Sequence, residues 1–329
     1  MYYIESACHD PMMNLALEQY VFEKLDRTKE YCMLWQNDNA IIVGKHQNTF
    51  AEINRQYVDK HGIRVVRRLS GGGCVYHDLG NINFTFIAMD GTNGSFNFST
   101  FCRPIVNVLK QLGLEPEISG RNDITLDGKK FSGNSQYMRW GRVMHHGTIM
   151  FDSNLDVVQE ALNVPKDKFS AKGFQSVRSR VTNVREHMEH PISTEEFFAV
   201  LRQFLTEEYQ LVPYQLTEED WHEVEAIRDE VYGTWEWNYG TSREYQVVKE
   251  RRIDGCGKVE IHMDTDGGRI SDIAFYGDYF GNGSSEELRQ VLLGRRLMKE
   301  DLADALSGIR LSHFFANLAE EQFVKLVLE

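Results

Sequence analysis

A run of three glycines constrains this chain more than any other feature. Gly71 to Gly73 stand in the segment RRLSGGGCVYHD, which begins with Arg67 and Arg68. Because glycine loses more backbone entropy on folding than any other residue, three in succession need a reason. One reason is a loop whose backbone N–H groups approach a bound anion, and the other is a tight turn between two strands. The arginines favour the ligand loop, because guanidinium groups pair well with carboxylates and phosphates.

Length and patterning predict two domains of mixed class. The chain has 329 residues, which exceeds the usual size of one domain, so a large domain followed by a small one is expected. Segments with helical and with strand periodicity interleave from end to end, as is typical of α/β or α+β proteins. The pattern changes near Gly240, where a small αβ module of roughly 80 residues is predicted.

Local patterns predict individual elements. Asp10-Pro11 is typical of an N-cap followed by proline at the first helical position, so a helix is expected from there to about Lys24. Strands are expected at 33–35 and 40–43, joined by a polar turn at 36–39, and three short strands are expected around Ile124, around Phe131 and at 143–151. A hairpin is expected across 266–268.

Composition argues against several partners. A net charge of −13 disfavours nucleic acid, because phosphate binding requires a basic surface. No apolar run reaches the ~18–20 residues of a membrane helix, so no membrane partner is expected. The five cysteines include no CxxC pair and the N-terminus carries no secretory pattern, so we expect a cytoplasmic protein with reduced thiols.

Several well-known motifs are missing from the sequence. There is no GxxxxGK[ST], which excludes a P-loop enzyme, and no complete GxGxxG, which disfavours a dinucleotide fold. HExxH and GxSxG are also absent, so neither a zinc protease nor an α/β-hydrolase is indicated.

A second polar segment combines Asn122 and Asp123 with Lys129 and Lys130. A lysine beside a turn of small residues can extend a point charge into a pocket, and Asn or Asp oxygens could hold a magnesium–phosphate unit. A solvated hairpin with Asp127-Gly128 as its turn is the simpler interpretation when the segment is taken alone.

Two more segments carry ionisable or hydroxyl side chains. His145 and His146 are neighbours on a predicted strand and therefore point to opposite faces, so they would not chelate one metal together. A structural histidine beside a close-packed Gly147 fits this segment better. From Ser176 to Asn183, basic and hydroxyl residues alternate on a predicted loop, which suits phosphate contacts and a solvated loop equally.

Together these segments resemble the lipoate–protein ligase family. The stretches RRLSGGGCVYHDLGN, GRNDITLDGKKFSGNSQ, HHGTIMFD and KGFQSVRSRVTN occur in the family's order and spacing, and WEWNYG resembles its link into a C-terminal domain. The resemblance covers essentially the whole chain. Biotin ligases share the fold but carry a different arginine–glycine loop, so they fit less well.

The resemblance implies an α+β protein with two domains. A catalytic domain of the biotin/lipoate-ligase type, with mixed β-sheets flanked by helices, would span residues 1–242, and a small αβ accessory domain would span 243–329. The family's reaction has two steps. Lipoate and ATP give lipoyl-AMP and pyrophosphate, and the lipoyl group then passes to a lysine of a carrier protein.

The resemblance also assigns residues to the site. Arg68 and Lys130 would carry catalysis, with Asp123 as a ligand of Mg²⁺ that enters with ATP; no tightly bound metal is expected. The residues that would bind lipoate and nucleotide come from all four segments: Arg68, Ser70, Gly71, Gly72, Gly73, Cys74, Val75, Tyr76, His77, Asn122, Lys130, Gly133, His146, Gly147, Ser176, Arg178, Arg180 and Thr182. The stretch 172–183 would close over the adenylate.

Cys74 keeps a second function open, because it stands where many relatives have alanine. A thiol beside an acyl site is compatible with a cysteine-dependent octanoyl or lipoyl transferase of the same fold. A small, inert thiol in place of alanine is the preferred interpretation. A non-catalytic binder of lipoate or its adenylate is a third possibility, which the presence of Lys130 disfavours.

The implied partners are lipoate or octanoate and an apo carrier protein. The carrier would be a lipoyl domain of a 2-oxoacid dehydrogenase or the glycine cleavage H protein, and a monomeric enzyme is expected.

Overall fold

The computed structural model describes residues 1–91, 96–120, 122–162, 180–239 and 247–328. Its strands are β1 (Tyr2–Glu5), β2 (Tyr31–Trp35), β3 (Ala40–Val43), β4 (Arg64–Arg67), β5 (Val75–His77), β6 (Asn81–Met89), β7 (Glu117–Ser119), β8 (Asp123–Leu126), β9 (Lys129–Arg139), β10 (Arg142–Met150), β11 (Val212–Pro213), β12 (Val247–Ile253), β13 (Gly257–Asp266) and β14 (Arg269–Tyr276).

The helices lie between and after these strands. They are α1 (Pro11–Glu23), α2 (Thr49–Glu52), α3 (Arg55–Lys60), α4 (Ser99–Gln111), α5 (Leu155–Ala161), α6 (Thr194–Tyr209), α7 (Glu218–Ile227), α8 (Trp235–Tyr239), α9 (Ser285–Leu292), α10 (Lys299–Leu306), α11 (Leu311–Phe314) and α12 (Glu320–Leu328). A 3₁₀ turn covers Val184–His187, and a π-helical turn covers Arg228–Tyr232.

The largest sheet has eight strands in the order β11-β1-β2-β6-β10-β9-β8-β7. β1 is parallel to β11 and β2, and the pairs from β2 to β7 are antiparallel. Strand side chains alternate between its faces, so Cys32 and Leu34 join the core with α4 and α6, whereas Met33 and Trp35 join the core with α1. The predicted mixed α+β class, with mixed sheets flanked by helices, is confirmed.

A second sheet has three strands in the order β4-β3-β5, with β3 parallel to β4 and antiparallel to β5. The glycine run connects β4 to β5, which are the two outer strands of this small sheet.

The pairing of β2 and β3 differs from the one that the sequence predicts. The strands predicted on either side of the turn at 36–39 do not pair with each other, because β2 enters the large sheet and β3 the small one.

A third sheet, β12-β13-β14, forms the core of the C-terminal unit with helices α9 to α12. The predicted hairpin over Asp266 to Gly268 is confirmed, with Gly267 and Gly268 at positive φ. The predicted boundary between residues 1–242 and 243–329 falls within 240–246, which lie outside the described residues, so it stays a prediction.

Local sequence signals account for many element boundaries. The side chain of Asp10 accepts a hydrogen bond from Met12 N at 2.8 Å, and Pro11 opens α1, as predicted. Asp127 and Gly128 both have positive φ and form the predicted turn between β8 and β9. The strand predicted as short around Phe131 is the eleven-residue β9, which pairs with both β8 and β10. The strand predicted at 143–151 is β10, shifted by one residue. Strands β5, β7, β11 and β12 and helices α2, α8 and α11 were not predicted.

None of the helices in the described ranges is long and apolar enough to cross a membrane.

The glycine loop, residues 71–73, is packed between the C-terminal unit and the N-terminal part of the chain that carries the first two sheets. A Cβ atom on Gly71 would lie 2.4 Å from Tyr279 O in the C-terminal unit. Gly72 has a φ of +88°, and its carbonyl oxygen would lie 1.9 Å from a Cβ on Gly44. Gly73 has no atom within 4 Å of its Cβ position. Close approach of a backbone carbonyl therefore requires glycine at positions 71 and 44, the positive φ favours glycine at position 72, and position 73 leaves open space.

This packing predicts unequal costs for alanine substitutions in the loop. Gly71→Ala should lower the free energy of unfolding by about 1–3 kcal/mol, because a backbone carbonyl must move to admit the methyl group. Gly73→Ala, the matched control two residues away, should leave that free energy close to the wild-type value. Urea denaturation of both variants measures the difference. Equal destabilisation would show that the loop does not pack as described.

Candidate active site

A cavity of about 350 Å³ lies beneath the glycine loop, at the carboxyl end of β4. Its wall combines apolar side chains with cations, carboxylates and amides. Most of it comes from the large N-terminal unit, and the C-terminal unit adds three residues. The lining residues are Leu15, Trp35, Ile42, Arg68, Gly72, Gly73, Cys74, Val75, His77, Asn83, Asn122, Asp123, Lys130, Gly133, Asn134, Ser135, His146, Gly147, Thr148, Arg252, Asp278 and Phe280.

Arg68 is a buried cation on this wall, with only 6% of its surface exposed. Its Nε donates to Ser70 Oγ at 3.1 Å, Nη1 donates to Ile42 O at 3.2 Å, and Nη2 donates to Gly71 O and Gly73 O at 2.7 and 2.8 Å. Burial lowers the pKa of Arg68 to about 10, so the group is charged at neutral pH. Most of its donors hold the loop, and its positive charge faces the cavity.

Arg67 points away from the cavity and holds the loop to neighbouring backbone. Its guanidinium donates to Gly44 O, Lys45 O and Gln47 O at 2.8, 3.1 and 2.7 Å. Its Nε donates to Trp237 O at 2.9 Å, and its backbone N–H donates to Asn238 Oδ1 at 2.9 Å. Arg67 therefore ties the loop to α8, within the WEWNYG segment, and does not line the cavity.

Lys130 is the second cation of the cavity, at the start of β9. Its Nζ lies 2.7 Å from Asp123 Oδ1, and both side chains are 36% exposed. Gly133 makes room for this arrangement, since a Cβ there would lie 3.0 Å from both Cε and Nζ of Lys130. Asn122 stands next to Asp123, and its Nδ2 donates to Asn134 O at 2.7 Å. A solvated hairpin, the simpler interpretation of this segment, describes the exposed turn at Asp127-Gly128. It does not describe β8 and β9, whose residues are mostly buried.

The two histidines of β10 point to opposite faces, as predicted. His145 is buried among Phe84 and Phe101, away from the cavity, and burial holds the pKa of His145 well below its usual range. His146 lines the cavity, with its Nε2 2.5 Å from Ser70 Oγ. Gly147 is close-packed, since a Cβ would lie 2.2 Å from Asn134 Oδ1.

The residues after the glycine run alternate along β5. Cys74, Val75 and His77 line the cavity, whereas Tyr76 packs on the far side of the small sheet, where its hydroxyl donates to Asn39 Oδ1 at 3.1 Å. Burial and the nearby Arg68 lower the pKa of His77 to about 3, so its ring is neutral. The resemblance had placed Tyr76 with the ligand, but strand alternation turns its side chain away. Ser70 and Gly71 lie behind the wall.

Only part of the fourth predicted segment is described. Ser176 and Arg178 lie outside the described residues. Lys130 N donates to Arg180 O at 2.8 Å, and Thr182 N donates to Lys130 O at 3.0 Å, so this stretch runs beside the start of β9. The Thr182 hydroxyl lies 2.9 Å from His187 Nε2 and does not line the cavity.

Two groups of site residues escaped the sequence analysis. Glu18, on α1, is a buried carboxylate whose oxygens lie 2.9 and 3.0 Å from His146 Nδ1. A glutamate within the mostly apolar stretch 15–22 of a helix that is buried on most sides is a signal that could have revealed it. From the C-terminal unit, Arg252 and Asp278 pair at 3.3 Å on the cavity wall, beside Phe280. No motif marks these three.

Two family models cover most of the chain. The lipoyl protein ligase A/B catalytic domain matches residues 10–206, and the bacterial lipoate protein ligase C-terminus matches residues 242–327. Among curated proteins, lipoate-protein ligase LplJ of Bacillus subtilis is 45% identical over 97% of this chain and 97% of its own length. Lipoate–protein ligase 1 of Staphylococcus aureus is 41% identical over the same shares of both chains.

Solved structures match over the same fold. P. falciparum LipL1 in complex with lipoate has a TM-score of 0.80 at 24% identity, covering 99% of this chain and 98% of its own. The bipartite lipoate protein ligase of Thermoplasma acidophilum, described with its E2 lipoyl domain, has a TM-score of 0.64 at 29% identity, covering 75% and 98%. Lipoate-protein ligase A bound with ATP scores 0.61 at 28% identity, covering 73% and 97%.

The family models, the relatives and the arginine–glycine loop over a cavity with Lys130 lead to one conclusion: this chain belongs to the lipoate–protein ligase family.

Proposed function

We propose that this lipoate–protein ligase activates lipoate with ATP inside the cavity under the glycine loop and then passes the lipoyl group to a carrier lysine. The observation that carries the proposal is the convergence of Arg68 and Lys130 on one cavity whose wall is otherwise partly apolar. Leu15, Trp35 and Ile42 suit an alkyl chain, and the cations suit a carboxylate and phosphates.

The first step joins two anions. A carboxylate oxygen of lipoate forms a bond to the α-phosphorus of ATP, and the bond from that phosphorus to the bridging oxygen breaks, so pyrophosphate leaves. Fixed cations offset the repulsion between the anions and the charge that grows in the transition state. Arg68 and Lys130 would supply these charges. Arg68 has the fixed position, since four hydrogen bonds hold its guanidinium.

Magnesium would enter with ATP as part of the substrate. Asp123 gives the cavity a carboxylate, and Mg²⁺ in nucleotide sites commonly takes one or two carboxylates together with phosphate oxygens and water. When bound, the ion would neutralise charge on the leaving pyrophosphate. The ion pair between Asp123 and Lys130 holds the carboxylate and the ammonium group side by side at the cavity.

In the second step the carrier's lysine amine attacks the acyl carbon. A C–N bond forms, the bond from the acyl carbon to the phosphate oxygen breaks, and AMP leaves. The amine nitrogen gives up one proton to water, so the product is an amide. No covalent enzyme intermediate is needed. The closure expected of 172–183 concerns mostly residues outside the described part. Its described end is anchored to Lys130 by two backbone hydrogen bonds of 2.8 and 3.0 Å.

The carrier would be an apo lipoyl domain or a glycine cleavage H protein, and the enzyme would act as a monomer in the cytoplasm. Support for the lipoyl domain as carrier comes from the T. acidophilum ligase, whose structure is described with its E2 lipoyl domain. The ATP-bound structure of a related ligase supports the nucleotide in the same way.

Lys130→Ala should reduce lipoate-dependent pyrophosphate release by about 100-fold or more, because a fixed cation is removed from the reacting centre. Lys129→Ala is the matched control. Lys129 is adjacent and exposed and does not line the cavity, so its loss should leave the rate near wild type. The measurement is pyrophosphate release with ATP, lipoate and Mg²⁺, corrected for a reaction without lipoate. Similar rates for both variants would remove Lys130 from the mechanism.

Cys74→Ala separates the ligase from a cysteine-dependent transferase. Cys74 lies on the cavity wall and packs against the small sheet's core. A ligase needs no thiol, so the variant should keep both pyrophosphate release and lipoyl transfer within about threefold of wild type. If pyrophosphate release persists while transfer to the carrier stops, the acyl group travels through this cysteine.

The acceptor is identified by one assay of the purified protein against several apo carriers. Free lipoate with ATP tests the whole reaction, and supplied lipoyl adenylate tests transfer alone. We expect transfer to at least one lipoyl domain or H protein under both conditions. Pyrophosphate release without transfer to any of these carriers would contradict the proposed partners, and it would leave the activation step intact.

A further inference from the structure

Glu18 is a buried carboxylate, 2% exposed, that lies behind the cavity wall. Its Oε1 accepts a hydrogen bond from Thr85 Oγ1 at 2.7 Å, and Thr85 Oγ1 in turn accepts one from Trp35 Nε1 at 3.0 Å. Its remaining close partner is His146 Nδ1. Burying a charged carboxylate at such depth is unfavourable in free energy unless the group is well hydrogen-bonded. The hydrogen bonds of Glu18 must therefore offset that free energy.

The hydrogen bonds continue from Glu18 to Arg68 through two side chains. His146 Nδ1 lies 2.9 Å from Glu18 Oε1, and His146 Nε2 lies 2.5 Å from Ser70 Oγ. Ser70 Oγ also accepts a hydrogen bond from Arg68 Nε at 3.1 Å. All four residues are nine-tenths or more buried.

One assignment of protons gives each of these groups a suitable partner. With a neutral His146 protonated at Nδ1, that nitrogen donates to Glu18, and Nε2 accepts the hydroxyl hydrogen of Ser70. Ser70 Oγ is then left as an acceptor for Arg68, whose Nε can only donate. With the proton on Nε2 instead, two donors would converge on Ser70 Oγ and a nitrogen lone pair would face the carboxylate.

We propose that Glu18, His146 and Ser70 form a positioning relay that fixes the Arg68 guanidinium for lipoate activation. This rests on the role proposed above for Arg68. The order of groups is that of a nucleophilic triad, but Ser70 is 1% exposed and does not line the cavity. Its oxygen and its hydrogen are committed to Arg68 and His146. Ser70 therefore acts through its neighbours and does not attack the substrate.

The relay affects the loop as well as the charge. The bond to Ser70 sets the plane of the guanidinium, and the same group donates to the carbonyls of Gly71 and Gly73. A charge fixed in place stabilises the transition state without reorganisation during the reaction. Loss of the relay should therefore appear in kcat for activation more than in KM for lipoate.

The test compares Glu18→Gln, Ser70→Ala and the double variant with Arg68→Ala and wild type. Each single change should lower kcat for lipoate-dependent pyrophosphate release by about tenfold, with KM for lipoate within about twofold. Two variants serve as matched controls. Glu23→Gln changes another glutamate of the same helix. Ser153→Ala removes a hydroxyl that is buried with no hydrogen-bond partner among the described residues. Both controls should stay near wild type. Circular dichroism establishes that each variant is folded.

Two readouts separate a relay from simple loss of packing. Residues that act as one unit are non-additive, so the double variant should lose no more than the worse single variant. Ring ¹⁵N NMR of the wild type should show His146 protonated at Nδ1, and Glu18→Gln should disturb this tautomer. A wild-type proton on Nε2 would overturn the relay even if no variant folds.

The remaining outcomes distinguish the relay from the proposed function. Absence of lipoate-dependent pyrophosphate release by wild type would reject the function itself. A wild-type rate in Arg68→Ala would reject the role of Arg68 and with it the relay. Loss of activity in Arg68→Ala, together with full rates in Glu18→Gln and Ser70→Ala or with additive losses, would reject the relay alone.

Discussion

The burial of two neighbouring guanidinium groups is the constraint on which the site depends. Arg67 and Arg68 are 8% and 6% exposed, and a buried cation must find acceptors for its N–H groups. Because they are adjacent at the end of β4, they point in opposite directions. Arg67 takes the carbonyls of residues 44, 45 and 47 and joins the loop to α8. Arg68 takes the carbonyls of Gly71 and Gly73 and so shapes the loop around itself.

Burial also distinguishes Arg68 from Lys130, the other cation of the cavity. Arg68 is held by main-chain groups and by Ser70, so its charge has a fixed place before any ligand arrives. Lys130 is about one-third exposed and is held by a single carboxylate, so its flexible stem can follow a ligand. One rigid and one adaptable cation suit a reaction in which a small acid and a nucleotide must meet in one cavity.

Much of the local structure and of the site's chemistry could be predicted from the sequence. Asp10-Pro11 marked the start of α1, Asp127-Gly128 marked a turn, and strand periodicity separated His145 from His146, because each of these signals acts over a few residues. The glycine run was predicted to approach a ligand. In the structure Gly72 and Gly73 line the cavity, so that approach stays a prediction. The need for glycine at position 71 comes from Tyr279 O, which is remote in sequence and which no local pattern could indicate.

By itself the sequence determined the class of the fold, the family and the cavity-lining cations Arg68 and Lys130, because these follow from local periodicity and from motifs that keep their order and spacing. The tertiary structure alone decided what surrounds those cations. Glu18 meets His146 across 128 positions and Ser70 meets His146 across 76, while Arg252 and Asp278 reach the cavity from the C-terminal unit. Contacts between residues so far apart depend on how sheets and helices pack, and no periodicity within one segment records them.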